Sequence, residues 1–261
     1  MPHMGGTMAG TTWTRNEVLI AFNLYCRTPF GQLHAHNAEI IRVASMLERT
    51  PGSLAMKCCN LASLDPALRS RGIRGLSNIS KVERALWEQF RQDPETVGFE
   101  SELAMANLCG SAPRMVDAVE WEDISGADRQ TVTKVRVNQH LFRSMVLSGY
   151  RDACAVCGIP ISSLLMASHI VGWAQDPANR MNPHNGICLC SLHDRAFDAG
   201  VLLVCEDYTV RITRLGTDVR QNEAVMQYLL RYQGKAIRLP DRWHPDPELL
   251  RRHAKSVGHA N

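Results

Sequence analysis

Three short stretches between residues 154 and 200 decide the fold of this chain: C-A-V-C at 154–157, A-S-H-I-V-G-W at 167–173, and N-P-H-N-G-I-C-L-C-S-L-H-D-R-A-F-D-A-G at 182–200. A histidine, an asparagine and a second histidine recur in that order, as His169, Asn185 and His193. Asn185 precedes Gly186, and Asn-Gly is a strong turn signal. A histidine can accept a proton from water near neutral pH and can also bind a metal ion. The pattern therefore combines a tight turn with two residues suited to metal-assisted hydrolysis.

This pattern resembles the HNH nuclease family, the metal-dependent ββα-metal endonucleases, over roughly residues 135–215. It is most similar to the branch in which S-H-I, N-G and L-H-x-x-F-D follow one another. The resemblance implies hydrolysis of a DNA phosphodiester with Mg²⁺ or Mn²⁺. It also implies three roles: His169, at the end of the first strand, is the general base; Asn185 holds the hairpin; and His193, at the start of the helix, binds the catalytic metal.

The residue before the expected base departs from the commonest family pattern. Many members carry an aspartate there that helps to bind the catalytic metal, whereas this chain has Ser168. A hydroxyl is a weak ligand for a hard cation, so Asp194, or water and substrate oxygens, can substitute for the missing carboxylate. Arg195 is a candidate phosphate contact, and Asp198 is expected to brace the fold.

The cysteines allow a second, structural metal site. Cys154 and Cys157 have the spacing of half a zinc knuckle, and Cys190 with His193 has the spacing to complete a Cys₃His set for Zn²⁺. Such a site would take His193 away from the catalytic metal. The alternative is that these cysteines are free thiols in the core, where cysteine is common.

Composition is that of an ordinary globular protein. Of the 261 residues, 45% are hydrophobic and 21% are charged, and no apolar run is long enough to span a bilayer. Residues 1–12 lack the pattern of a signal peptide and are expected to be a disordered leader. Without an export signal, the nine cysteines predict reduced thiols and a cytoplasmic location.

The N-terminal region predicts a helical unit. A capping box at Thr14 and Glu17 opens the first helix, and further helices are predicted at 37–47, 53–64 and 81–91. Helix, tight turn and helix is the outline of a helix-turn-helix DNA reader, although a helical bundle that never touches DNA has the same pattern. The candidate DNA-contacting side chains are polar or basic: Arg49, Ser53, Lys57, Asn60, Arg69, Arg71 and Arg74.

The charges divide the chain into three parts. Residues 1–95 carry 11 Lys/Arg against 8 Asp/Glu, residues 96–130 carry 2 against 7, and residues 131–261 carry 16 against 11. Two mildly basic ends suit a phosphate-bearing partner. We predict a DNA-reading domain at 13–95, an acidic linker at 96–130 with one short helix at 101–108, and an HNH domain at 131–261.

The expected fold class is thus α+β, with an all-helical, helix-turn-helix-like domain before a ββα-metal domain with flanking helices. This arrangement resembles the modification-dependent restriction endonucleases, which implies double-stranded DNA as the partner and methylated DNA, with N6-methyladenine as one candidate base, as the target. One HNH domain cuts one strand, so double-strand cleavage would require a homodimer. The alternatives are a nicking, homing or toxin nuclease, and a DNA-binding regulator that does not cleave.

Overall fold

The computed structural model describes residues 12–70, 72, 79–115 and 127–259 of the chain. The helices are α1 (Arg15–Arg27), α2 (Ala38–Met46), α3 (Pro51–Leu64), α4 (Pro66–Ser70), α5 (Lys81–Gln92), α6 (Pro94–Cys109), α7 (Ala127–Gly149), α8 (Ser191–Asp198), α9 (Thr217–Arg220), α10 (Glu223–Tyr228) and α11 (Pro247–Ser256). The strands are β1 (Leu165–His169), β2 (Gly186–Cys190), β3 (Leu202–Val204) and β4 (Val210–Ile212), which pair as two antiparallel hairpins, β1 with β2 and β3 with β4. Across the described segments, every helix is too short or too polar to cross a membrane.

Local sequence signals set the ends of the N-terminal helices. Thr14 and Glu17 form the capping box that opens α1, and Thr50 caps α3 with Pro51 in its first turn. Helix α5 begins after a second capping box, in which the Ser80 side chain accepts from the Glu83 backbone N–H and Glu83 reaches back. These caps satisfy backbone N–H groups that have no partner inside the helix.

The structure departs from the linker interpretation at residues 94–109. These residues form a full helix, α6, whose Val97, Ala104 and Met105 are buried, whereas only a short helix at 101–108 was expected. At Gly98 an added Cβ would lie 3.1 Å from Met181 Cε and 3.2 Å from a Leu141 methyl carbon. The absence of a side chain there lets the nuclease-like part pack closely on α6, a long-range contact that composition does not reveal. Residues 116–126 of the proposed linker lie outside the described residues.

A single apolar core runs through both parts of the chain, from α1 to the hairpin β1–β2 and α11. Arg242, from the C-terminal part, connects it to the N-terminal helices. Its Nη2 donates to the carbonyls of Cys26 (3.2 Å) and Thr28 (2.9 Å) at the end of α1. The same guanidinium lies 4.5 Å from the ring centre of Tyr25 and 4.1 Å from that of Trp243. The N-terminal helices and the C-terminal part therefore pack against each other as one body.

Candidate active site and metal centre

Four side chains from two separate segments of the chain meet at one point, namely Cys154, Cys157, Cys190 and His193. All four candidate ligand atoms lie within 4.8 Å of one another. Cys157 Sγ lies 3.8 Å from Cys190 Sγ, and His193 Nδ1 lies 3.6 Å from Cys154 Sγ and 3.1 Å from Cys190 Sγ. A tetrahedral zinc site has S···S edges of about 3.8 Å and S···N edges of about 3.6 Å, given its metal–ligand bond lengths. The cluster thus has the donors and nearly the dimensions that Zn²⁺ requires.

The knuckle that carries the first two cysteines is shaped by backbone hydrogen bonds. The N–H of Gly158 donates to the Cys154 carbonyl (2.9 Å), and Gly158 adopts a φ of +75°, which glycine accepts without strain. The N–H of Ala155 donates to the carbonyl of Cys188 in β2 (2.7 Å). The knuckle is thereby tied to the strand that ends at the third cysteine of the cluster.

Contacts on the side of the His193 ring away from the thiols orient its Nδ1 toward them. Its Nε2 lies 3.0 Å from the carbonyl of Tyr228, and its ring meets that of Tyr232 edge to face. A nitrogen that donates to a carbonyl carries the proton, so Nδ1, beside Cys190, is left with a free lone pair. Both nitrogens are then engaged. This arrangement favours the Cys₃His alternative for His193, and binding of the catalytic metal by His193 stays a prediction.

The thiols of the cluster influence one another. Hydrogen bonding with Cys190, and after it with His193, lowers the pKa of the Cys154 thiol far below its usual range despite burial. A thiolate is the form of cysteine that binds metals. The cluster therefore favours at least one ligand in the charge state that a cation needs.

His169, the last residue of β1, is held on three sides. Its Nε2 lies 3.1 Å from the carbonyl of Arg180, its ring stacks on Phe142 of α7 with centres 3.9 Å apart, and Trp173 packs edge-on against it. Donation from Nε2–H to the carbonyl leaves Nδ1 as a proton acceptor. Burial lowers the pKa of His169 below its ordinary value of 6.5, so the imidazole is neutral at physiological pH. This is the protonation state of a general base.

Asn185 closes the loop between β1 and β2. It is fully buried; its Nδ2 donates to the carbonyls of Val171 (3.0 Å) and Asn179 (3.1 Å), and its Oδ1 accepts from the Val171 N–H (2.8 Å). The same loop contains Arg180, whose carbonyl contacts His169. The asparagine thus stabilises the segment that orients the imidazole.

The side chains of Ser168 and Asp194 bring two oxygens together where β1 meets α8. The Ser168 hydroxyl, buried on β1, donates a short hydrogen bond to Asp194 Oδ1 in the first turn of α8. Arg195 is exposed, and so is Asp198. Although Asp198 is exposed as a residue, partial desolvation of its carboxyl, and after it the charge of Asp194, raises the pKa of Asp198. Ser168 and Asp194 therefore offer a pair of oxygen donors between β1 and α8.

Most of the predicted DNA-contacting residues on α3 and before it face the protein. Lys57 Nζ lies 2.9 Å from the fully buried carboxylate of Glu83, to which Asn60 also donates at 3.0 Å. Arg49 pairs with Glu17 at 2.8 Å. A buried carboxylate needs charge and hydrogen-bond partners, and Lys57 and Asn60 supply them. All three side chains are engaged inside the protein, and their contact with DNA stays a prediction.

The other candidates of the helical unit differ in their surroundings. Ser53 is half-buried in the first turn of α3, and Arg69 is exposed on α4. Arg71 and Arg74 lie outside the described residues.

Sequence reasoning missed Phe142, Arg180 and Tyr228. Phe142 looks like any apolar residue of a helix, and the other two act through backbone carbonyls, which every residue has. Gly186 was interpreted from the sequence only as part of a turn, but its lack of a side chain also permits close packing. An added Cβ would lie 2.4 Å from Val146 Cγ2 and 3.0 Å from Phe142 Cζ. Helix α7 packs directly on that glycine.

Residues 154–204 match a family model described as HNH endonuclease. No curated protein matches the chain. The matched segment contains the thiol cluster, His169, Asn185 and the Ser168–Asp194 pair. The match supports an HNH endonuclease domain in this segment, and with it a nuclease that acts on DNA and depends on metal.

Proposed function

We propose that the protein is a metal-dependent endonuclease that hydrolyses phosphodiester bonds in DNA, with His169 as the general base. The observation that carries the proposal is the state of His169, a neutral imidazole whose Nε2 is bound to the Arg180 carbonyl and whose Nδ1 is left to accept a proton. It follows Ser168 in the chain, inside the segment that matches the nuclease family.

In the proposed reaction, Nδ1 of His169 takes a proton from the attacking water. The Arg180 carbonyl stabilises the imidazolium that results, because it accepts from Nε2–H throughout. The ring stack with Phe142 keeps the imidazole in one orientation, which lowers the entropic cost of reaching the transition state. Proton transfer by a positioned base of this kind typically contributes a factor of about 10²–10⁴ in rate.

Two different metals suit the two donor sets. Ser168 and Asp194 would hold a hard cation, Mg²⁺ or Mn²⁺, which prefers oxygen ligands. When bound, such an ion supplies positive charge to the phosphate and the leaving oxygen. The Cys₃His cluster suits Zn²⁺ in a structural role, since it fills four coordination positions with protein ligands and leaves none for a substrate.

A restriction role for methylated DNA is the finer part of the proposal. It is supported by the order of a helical unit and an HNH domain along the chain, and by the packing of the two against each other. Because Lys57 and Asn60 face inward, any reading surface must lie elsewhere than on that face of α3. Arg195, exposed on α8 beside the site, is proposed to contact a phosphate.

The test is plasmid cleavage. Plasmids grown with and without adenine methylation are incubated with the protein and Mg²⁺ or Mn²⁺. The variant His169→Ala is compared with the control His34→Ala, which changes an exposed histidine in the N-terminal helical unit. We expect His169→Ala to lose a factor of about 10²–10⁴ in rate and His34→Ala to cut normally. Cutting only of the methylated plasmid supports the restriction role, whereas equal cutting favours a nicking, homing or toxin nuclease.

Two further outcomes decide the remaining alternatives. Binding of either plasmid without any cleavage, unchanged by His169→Ala, would establish a DNA-binding regulator and reject the nuclease. If the proposed homodimer makes double-strand breaks, linear product should form directly, with a rate that rises faster than linearly with protein concentration. Accumulation of nicked circles alone would indicate a monomer.

A further inference from the structure

A cleft of about 480 Å³ lies between the helical unit and the loop that joins β1 to β2. Helix α5 contributes Trp87, Phe90 and Arg91 to one wall, and the loop contributes Asn182 and His184 to the other. Its size is in the range of small-molecule and cofactor sites. The described residues place it at the junction of the two parts of the chain, which is a common position for binding sites.

The walls combine flat apolar surfaces with hydrogen-bond acceptors. Trp87 and Phe90 line the cleft together with Trp243, which packs edge-on against Tyr25. Asp65, only 2% exposed, lines it with a carboxylate that accepts from the Tyr25 hydroxyl at 3.3 Å. Burial raises the pKa of Tyr25 well above 10, so this hydroxyl keeps its proton and donates it to the Asp65 carboxylate.

The loop side of the cleft adds a second acceptor. Nδ1 of His184 lies 2.7 Å from the carbonyl of His244, and donation to that carbonyl leaves Nε2 as the acceptor. Asn182 is held by its neighbours, since its Nδ2 donates to Asn179 Oδ1 and its Oδ1 accepts from the His184 N–H. The loop side of the cleft is therefore held in place by hydrogen bonds and offers Nε2 of His184 as an acceptor.

The cleft is joined to the proposed active site by a few residues of the same loop. Asn179, Asn182 and His184 line the cleft, and Arg180, between them, presents its carbonyl to Nε2 of His169. Arg91, whose side chain is 64% exposed, lies at the cleft on the opposite wall. A flat ligand with amino groups and a nearby phosphate fits these features, because aromatic rings stack on bases and arginine pairs with phosphate.

We propose that this cleft binds one nucleobase of the DNA substrate, extruded from the helix, and that the base carries an exocyclic amino group. The class comprises adenine, including N6-methyladenine with its remaining N–H, cytosine, and guanine, whose amino group is at C2. Thymine lacks the amino donor that Asp65 and His184 would accept from. The proposal rests on the nuclease function in that it takes DNA as the ligand, and it assigns to the cleft a part of target selection that α3 does not perform.

The experiment measures binding of single nucleotides by calorimetry, with the full chain and no added Mg²⁺ or Mn²⁺. The probes are dAMP, N6-methyl-dAMP, dCMP and dTMP. We expect dTMP to bind about tenfold more weakly than at least one of the amino-bearing nucleotides, as is typical when hydrogen bonds to a charged group are lost. Equal binding of all four, or binding of none, would overturn the proposal.

Matched variants locate the site. Asp65→Asn should abolish most of the preference over dTMP, whereas Asp241→Asn, at a carboxylate that pairs with Arg151 away from the cleft, should leave it intact. A preference that survives in Asp65→Asn would contradict the assignment.

A second pair keeps the test decisive if Asp65→Asn fails to fold. Arg91→Ala, at an exposed residue, should weaken the binding of nucleotides but not the binding of the corresponding nucleosides. Arg84 is exposed on the same helix but outside the cleft, so Arg84→Ala should leave the binding of both unchanged. Identical nucleotide binding in both variants would overturn the proposal. Plasmid cleavage by the same preparations separates the two proposals: cleavage with no nucleotide preference rejects only the cleft, and the predicted preference without cleavage rejects only the nuclease.

Discussion

Gly186→Ala is expected to damage both the fold and the proposed catalytic base, although it adds one methyl group. The new Cβ would lie 2.4 Å from Val146 Cγ2 and 3.0 Å from Phe142 Cζ. Carbon atoms normally approach to about 3.5–4.0 Å, so the first contact is too close by about 1.1 Å or more. The φ at Gly186 is −127°, which any residue adopts, so the whole effect is steric.

The cost follows from overpacking. Forcing such a group into a filled core typically costs about 1–3 kcal/mol. For a chain of this size, each kcal/mol lowers the melting temperature by about 2–4 °C. Relief of the clash would move Phe142, which stacks on His169. Since a 1 Å displacement of catalytic groups can lower the rate about 10²-fold, activity should fall by more than the loss of folded protein explains.

The assay combines thermal unfolding with plasmid cleavage well below the melting temperature. Gly52→Ala is the control, since a Cβ at Gly52 in the first turn of α3 meets nothing within 4 Å. The double variant Gly186→Ala with Val146→Ala removes the closest contact and should be more stable than the sum of the two single effects predicts. Wild-type melting and activity in Gly186→Ala, or strict additivity in the double variant, would refute this account of the packing.

Three other predictions test the metal sites and the buried histidines. Cys190→Ser should reduce bound zinc from about one ion per chain to almost none and lower the melting temperature, while Cys205→Ser, outside the cluster, should retain the metal by elemental analysis. Ser168→Asp should lower the Mn²⁺ concentration for half-maximal cleavage about tenfold, because it adds a carboxylate opposite Asp194; an unchanged or higher concentration would place the cation elsewhere. His253, buried on α11, has its pKa lowered from 6.5 by burial, so the unfolded chain binds the proton more tightly and stability should decline as pH falls below 6.5. His253→Phe should flatten this decline in denaturant titrations at pH 7.5 and 5.5, and an equally steep slope in both proteins would count against the burial argument.

The nuclease-like module was largely predictable because its signals are local. Two residues lie between Cys154 and Cys157, as between Cys190 and His193, and Asn185-Gly186 marks the turn into β2. Such spacings act within one turn or one hairpin. The capping box at Thr14 and Glu17 belongs to the same class of signal, and α1 begins directly after it, whereas α3 begins at Pro51, two residues before the predicted start.

The direction in which a side chain points was not predictable. From the sequence, Lys57 was predicted to contact DNA. In the structure it contacts the buried Glu83, which lies 26 residues further along the chain. Helix α6 lies in a stretch rich in acidic residues, and its burial depends on partners such as Leu141 that approach at Gly98.

By itself, then, the sequence determined which residues could bind metal, accept a proton or begin a helix, because these properties depend on side-chain chemistry and near neighbours. Only the tertiary structure decided that His193 faces the thiols, that the Arg180 carbonyl orients His169, and that a cleft opens between the two parts of the chain. The physical reason is that each of these arrangements depends on a backbone carbonyl or a packing surface that another segment of the chain contributes. The energy that favours one orientation over another exists only once those distant segments have come together.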